Sequence, residues 1–337
     1  MLNKIGIIGG GYIGGVLVQE CASRGIARNI GFVDPAPFVN PDDPPERQAV
    51  QAKQSIAGGK ALDITEGLPI IGADVNLVAS KDYSALEGAE LVISSAGVPR
   101  KARPDGSFPS REELLTTNLK ITKMVAAGIK QYCPDAIVIN IANPLDAIVY
   151  TLNAVLDPPK NKLMGMAGAL DSTRYRSFVA EAANVSVKDV SAMVLGGHGP
   201  SMVPVRSSCR IAGIPVSKFI DDDTLLALET RTRKAGGEVV GLLGIGSAFV
   251  SPAWAALEMA EAIIFDKRKI IAASAYLTGQ YGIEGLFVGV PVILGKNGIE
   301  EILEIDLTED ELAALQKSAA GVRKTSDEAG ELLAKMD

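Results

Sequence analysis

The 337-residue chain predicts an α/β protein, a doubly wound parallel sheet followed by a mixed α+β second domain. Three observations carry this reading. Six short apolar runs alternate with helical stretches over the first half. A glycine triplet stands between the first run and the first helix. Beyond about residue 150 the pattern changes to paired strand signals, long helices and two further β-rich runs.

The elements follow in order. Ile5–Ile8 is a short strand, Gly9-Gly10-Gly11 a turn, and a helix runs to about Arg24. The lysine followed by the apolar run Ile5–Val18 has the look of a weak signal peptide, but its glycine pattern reads as strand, turn and helix start. Ile30–Asp34 is the second strand. Pro35–Gly58 holds five prolines and reads as a surface insertion, a loop at first and helical over Glu46–Ile56. Ala73–Ala79 and Ala89–Ser95 are the third and fourth strands. Ser110 and Glu113 form an S-x-x-E capping box that opens a helix over Ser110–Gln131. Ala136–Ile141 and Lys162–Ala167 are the fifth and sixth strands. The expected division is 1–150 for the first domain and 151–337 for the second. In the second, Val190–Leu195 and Met202–Ile211 are paired strands, and helices cover 223–265. The uncharged stretch Val239–Leu257 is broken by Gly241, Gly244, Gly246 and Pro252, which a membrane span tolerates poorly. It reads as two helices joined near Ser251-Pro252. Two β-rich runs at 269–278 and 285–294 precede a polar helix from Thr308.

Lys and Arg number 33 against 40 Asp and Glu, a formal charge of −7. That balance argues against nucleic acid or an anionic membrane as partner, but local arginines still suit a small anionic substrate. Cys21, Cys133 and Cys209 are scattered, as reduced thiols of a cytoplasmic protein would be. With one histidine, His198, a Cys/His zinc site is not expected, and no metal is assigned. Imidazole acid–base chemistry near neutral pH falls to His198 alone.

Gly9-x-Gly11-x-x-Gly14 follows a strand and opens a helix, with Asp34 twenty residues later at the end of the second strand. This is the Rossmann-type fingerprint. Its glycines permit a tight turn and close approach to a pyrophosphate, and the carboxylate accepts from ribose hydroxyls. Asp34 favours NAD, because a 2′-phosphate would meet its charge. The flanking glycines of Gly196-Gly197-His198-Gly199 put the imidazole on a tight, accessible turn. Asp171 and Arg174, three apart, share a helix face. Such an Asp fixes an imidazole tautomer, and a fixed Arg grips a carboxylate through two parallel hydrogen bonds. Arg100, Arg103 and Arg111 flank a Pro104-Asp105-Gly106 turn after the fourth strand, beside the expected nicotinamide end. Asn143 closes the fifth strand, where it can meet both substrate and cofactor.

Together with GKALDITEG, SREELLTTNLKI, INIANPLDA, MAGALDSTRYR, LGGHGPSMVPV and YGIEGLFVGVPVILGKNGIEEI, these stretches resemble the lactate/malate dehydrogenase family, nearest its lactate-dehydrogenase-like malate dehydrogenases. The matching stretches are collinear over almost the whole chain. The resemblance implies an NAD-binding Rossmann domain followed by a catalytic domain. It implies an NAD-dependent enzyme of the tricarboxylic acid cycle that interconverts (S)-malate and oxaloacetate. It makes His198 the proton donor and acceptor, Asp171 its carboxylate partner, Arg111 the group that polarises the reacting carbonyl, and Arg174 the reader of the C1 carboxylate. Arg100 then holds the second carboxylate, and Asn143 serves substrate and cofactor. Gly9, Gly10, Gly11, Tyr12, Ile13, Gly14, Asp34, Asn118, Ile141 and Ala142 line the cofactor. An arginine at the position of Arg100 marks malate enzymes, where lactate enzymes usually carry glutamine. Arg100 and Arg111 stand further apart than is usual, a lengthening also found in apicomplexan lactate dehydrogenases. The alternatives are an L-lactate or other 2-hydroxy-acid dehydrogenase and, more remotely, a catalytically silent NAD-binding sensor. The family further implies a homo-oligomer, dimer or tetramer.

Overall fold

The computed structural model describes residues 2–35, 43–51, 55–99, 110–244 and 246–336. The first half alternates β1 (Lys4–Ile8), α1 (Tyr12–Ser23), β2 (Asn29–Val33), α2 (Pro45–Gln51), α3 (Ile56–Ile71), β3 (Asn76–Ser80), β4 (Leu91–Ser94), α4 (Arg111–Tyr132), β5 (Ile137–Asn140), α5 (Leu145–Leu156), β6 (Leu163–Gly165) and α6 (Gly168–Ala183). Then follow β7 (Val190–Ser191), β8 (Val194–Leu195), β9 (Val203–Pro204), β10 (Arg210–Ile211), β11 (Ile214–Pro215), α7 (Asp222–Leu243), α8 (Val250–Ile264), β12 (Lys269–Thr278), β13 (Glu284–Gly295), β14 (Gly298–Ile302) and α9 (Glu309–Ala334).

Strands β3-β2-β1-β4-β5-β6 lie in that order, and each neighbouring pair is parallel. The order reverses between β1 and β4, and ligands of such sheets bind at the carboxyl ends of the strands beside that reversal. The inner strands β1, β4 and β5 are mostly apolar and buried because both faces are covered, while the edge strand β3 is partly exposed. Ile5 and Ile7 of β1, Phe32 of β2 and Ile93 of β4 enter one core with Leu17 of α1 and Met259 of α8. Their alternates Ile8, Val33 and Val92 enter the other, with Leu119 of α4 and Ile148 of α5. Each fully buried side chain of this size contributes about 1.5–3 kcal/mol of transfer free energy. The period of two thus fixes which helix packs on which face.

Local signals set the helix starts. Ser110 and Glu113 form the expected reciprocal cap of α4, and Thr308 with Glu311 does the same for α9. Within the proline-rich segment α2 covers Pro45–Gln51, and Ser55 caps α3, which begins at Ile56. The rest of that segment's expected features, within 36–42 and 52–54, fall outside the described residues.

In the second half the runs near 269–278 and 285–294 form β12 and β13, and β12 joins β6 antiparallel at Ser274–Gly165, so that among the described residues one sheet of nine strands crosses the molecule. A Cβ on Gly165 would stand 3.0 Å from that of Ser274, and glycine permits the junction. The expected pair over 190–211 splits into two. β8 pairs with β9, β7 with β10, and the residues between β8 and β9 arch out with His198. The two apolar helices meet between Leu243 and Val250, not at Ser251-Pro252. Pro252 lies in the first turn of α8, where a missing N–H breaks no intrahelical bond. No helix among the described residues is long and apolar enough to cross a membrane.

Candidate active site

The cradle at the carboxyl end of β1 is built by close contacts that exclude side chains. Gly9 has φ 108°, and a Cβ there would lie 2.7 Å from Ser95 Oγ. A Cβ on Gly10 would strike the Asp34 carboxylate, and one on Gly14 the Gly9 carbonyl. Gly11 has open space around it and starts α1 without a side-chain cap. The first N–H groups of α1 are therefore left for a ligand, at the positive end of the helix dipole. The Gly10 N–H donates to Asp34 Oδ2 at 2.8 Å, fixing the carboxylate at the lip. Tyr12 is exposed with its ring 5.3 Å from that of Phe249, while Ile13 is half-buried. These residues fit a dinucleotide: a backbone cradle for phosphates with a carboxylate beside it.

Lys60 of α3, which sequence reasoning did not single out, completes the cradle. Its Nζ donates to the Gly10 and Gly11 carbonyls at 2.8 and 2.6 Å. Burial lowers its pKa against the opposing charge of Asp34. Its only sequence signal was its place in the GKALDITEG stretch.

Asn118 clamps the neighbouring loops from α4. Its Oδ1 accepts the Val98 N–H at 2.8 Å, and its Nδ2 donates to the carbonyls of Val98 and Asn143. It is buried, its amide spent on the backbone after β4 and β5. Ile141 and Ala142 are buried beside it. Asn143 is exposed, and its Oδ1 accepts the Leu145 N–H at 3.2 Å.

The chemical centre is Asp171 on the first turn of α6, 2% exposed. One oxygen lies 2.8 Å from Nδ1 of His198, and the other accepts from Nη1 of Arg174 at 3.3 Å. The carboxylate thereby aims an imidazole and a guanidinium toward one place. Burial disfavours the imidazolium, but the charge and hydrogen bond of Asp171 and the charge of Asp146 outweigh it and the opposing Arg174, so the His198 pKa is raised. Arg174 is mostly buried, and Gly236 of α7 leaves room beside its guanidinium. Asp146 is the second residue that sequence reasoning passed over.

Arg111 is not gathered into this cluster. It starts α4 with an exposed side chain, donating to Thr325 Oγ1 at 3.3 Å and 3.7 Å from Glu328 of α9. Arg100 and Arg103 lie outside the described residues. The three cysteines are buried and unpaired, and burial pushes the thiol of Cys21 up to about 12 and those of Cys133 and Cys209 to about 11. Among the described residues no group of three or more His, Cys, Asp or Glu could hold a metal ion.

A parallel sheet in the order 3-2-1-4-5-6, with a glycine cradle at its reversal and an acid-paired imidazole nearby, defines an NAD-dependent oxidoreductase. Residues 3–165 match the lactate/malate dehydrogenase NAD binding domain, and residues 168–332 the alpha/beta C-terminal domain of the same family. The chain belongs to the lactate/malate dehydrogenase family. It is 45% identical over 325 residues to malate dehydrogenase 1 of Anaeromyxobacter dehalogenans, covering 96% of this chain and 97% of that one. Among solved structures it resembles the malate dehydrogenase of Cryptosporidium parvum, with TM-score 0.86, 38% identity, and coverage of 98% and 100% of the two chains. It equally resembles the lactate dehydrogenase of that organism in complex with lactic acid and nicotinamide adenine dinucleotide, with TM-score 0.86, 37% identity and 98% coverage of each.

Proposed function

We propose that the chain is an NAD-dependent malate dehydrogenase catalysing reversible hydride transfer between (S)-malate and oxaloacetate. The observation that carries the chemistry is Asp171 bridging His198 and Arg174. The relative from Anaeromyxobacter and the arginine at position 100 favour malate over lactate. The cradle residues all precede residue 150 and the Asp171 cluster follows it, which supports a division into a dinucleotide-binding part over 1–150 and a substrate part over 151–337.

Bound NAD supplies or accepts the hydride at C2 of the substrate. His198 donates a proton to the carbonyl oxygen in reduction and takes it back in oxidation. Asp171 holds the ring through Nδ1, leaving Nε2 toward the substrate. Arg174 grips the C1 carboxylate, its position fixed by the same Asp171. Arg111 stabilises negative charge developing on the reacting oxygen, a role that requires it to leave Thr325 and Glu328. Arg100 holds the second carboxylate. Asn118 serves the cofactor by clamping the two loops that flank it.

A lactate dehydrogenase is the second reading, supported by the equal likeness to the Cryptosporidium lactate enzyme. Turnover decides: oxaloacetate is expected to be reduced far faster than pyruvate, and the reverse order refutes the malate reading. Absence of NADH oxidation with either leaves a silent NAD-binding protein. The same assay with NADPH should be much slower, and Asp34→Ser should narrow that gap. Equal use of both cofactors by the unaltered chain would show Asp34 to be misassigned.

The partner expected besides the substrate is a second copy of the chain. Leu242 and Trp254 stand 84% and 52% exposed on a groove of about 760 Å³ between α6, α7 and α8, apolar surface that a dimer or tetramer would cover. A monomer mass by light scattering refutes this. Buried, unpaired thiols suit a cytoplasmic protein.

A further inference from the structure

His198 is approached by two carboxylates, and the second lies outside the Asp171–Arg174 bridge. Asp146 stands in the first turn of α5, three residues beyond Asn143. A Cβ on Gly197 would come 3.2 Å from Asp146 Oδ2, which places this oxygen against the Gly197–His198 backbone. The charge of His198 and its backbone N–H both favour the ionised form of the Asp146 carboxyl. Its Oδ1 is sealed from solvent and has no hydrogen-bond partner among the described residues. A carboxylate so placed is costly to bury, and it is sustained by a positive charge nearby.

The surrounding elements supply few other charges. From α6 come Asp171 and Arg174, on the far side of the ring. From α9 the contacts to Gly197 are neutral: Ser318 Oγ accepts its N–H at 2.9 Å, and Val322 lies against its Cα.

We propose that Asp146 is a positioning residue for the acid–base step: it lies against the Gly197–His198 backbone while Asp171 fixes the ring, and its charge, shut off from water, supports the protonated imidazole. Asp171 aims the ring, and Asp146 sets how tightly the ring holds its proton without touching the substrate. Burial pushes the Asp146 carboxyl up to about 6, with the charge of His198 and the His198 N–H pulling it down and Asp171 adding to the rise. The two groups therefore titrate as a coupled pair, and protonating either one weakens proton binding at the other. The proposal rests on His198 being the acid–base group.

His198 is the chain's only histidine. Its imidazole signals in an NMR titration of the full-length, substrate-free protein therefore need no assignment. Asp146→Asn is expected to weaken proton binding by His198 at least about threefold, moving its transition to lower pH. Ser318→Ala removes the other hold on the Gly197 backbone without changing charge, and should leave the transition in place. The proposal is overturned if His198 titrates in Asp146→Asn as it does in the unaltered protein. It is equally overturned if Ser318→Ala shifts the transition as far, because loosening of the backbone would then be the cause. Should Asp146→Asn not fold, Asp146→Ser removes the same charge and is read in its place, and an unshifted His198 transition there overturns the proposal. Because the ring itself is read, failure here is distinct from failure of the malate assignment, which turnover measures.

Discussion

His198→Asn is expected to lower kcat about 10²–10⁴-fold, the usual worth of a positioned acid–base group, while NADH binding stays within a few-fold. Asparagine keeps a polar group near Asp171 but neither releases nor takes up a proton near neutral pH. The proposed cofactor cradle is built from Gly9 to Gly14, Asp34 and Lys60, and the hydrogen bonds that join its parts do not involve His198. Binding and turnover should therefore separate, and stopped-flow fluorescence beside steady-state assays measures both. The pH profile gives a second check. With the His198 pKa raised, reduction requires the protonated ring, so its rate is full below that pKa and falls as pH rises through it. Oxidation requires the neutral ring and rises over the same interval. Both transitions should vanish in the variant, and an unchanged kcat would end the proposed mechanism.

The separability of these two functions reflects how the fold assembles them, and how differently they were legible. The cradle could be read because its parts are local: strand, three glycines and helix are contiguous, and Asp34 ends the adjacent strand. Strand faces were equally plain, since Ile7 and Ile8 must enter opposite cores. The Asp171–His198 pair spans 27 residues, and no periodicity links them. Only the family likeness joined them before the fold did. Lys60 reaches Gly10 across 50 residues, and a lysine inside a helix carries no local sign of that task. Asp146 was hidden for another reason. It lies only three residues beyond Asn143, in the first turn of α5, yet its function depends on the arch between β8 and β9 folding over it. Arg111 shows the opposite case. Its capping box was visible, but its side chain meets α9 at Thr325, 214 residues away, and at Glu328.

Substrate choice should turn on Arg100. Although Arg100 lies outside the described residues, both anchors of its segment are built: Asn118 pins Val98, and the Ser110–Glu113 cap fixes the start of α4. Arg100 follows the pinned Val98 by two residues, while Arg103 lies five beyond it and next to the Pro104-Asp105-Gly106 turn. A cation close to a fixed point is the better reader of a carboxylate, because less conformational freedom is lost on binding. In the proposed role its charge would pair with the second carboxylate of oxaloacetate and meet only a methyl group in pyruvate, and sites built for a polar partner reject analogues lacking it by roughly 10⁴–10⁵-fold. Arg100→Gln should therefore depress kcat/KM for oxaloacetate far more than for pyruvate, and Arg103→Gln should do little. Each variant removes one positive charge from the same segment, so a general electrostatic effect on dicarboxylate attraction would appear equally in both. Selective loss in Arg103→Gln alone would exchange the two roles. If neither changes the ratio of oxaloacetate to pyruvate turnover, the second carboxylate is not read by this segment, and the preference for malate must rest on groups elsewhere in the site.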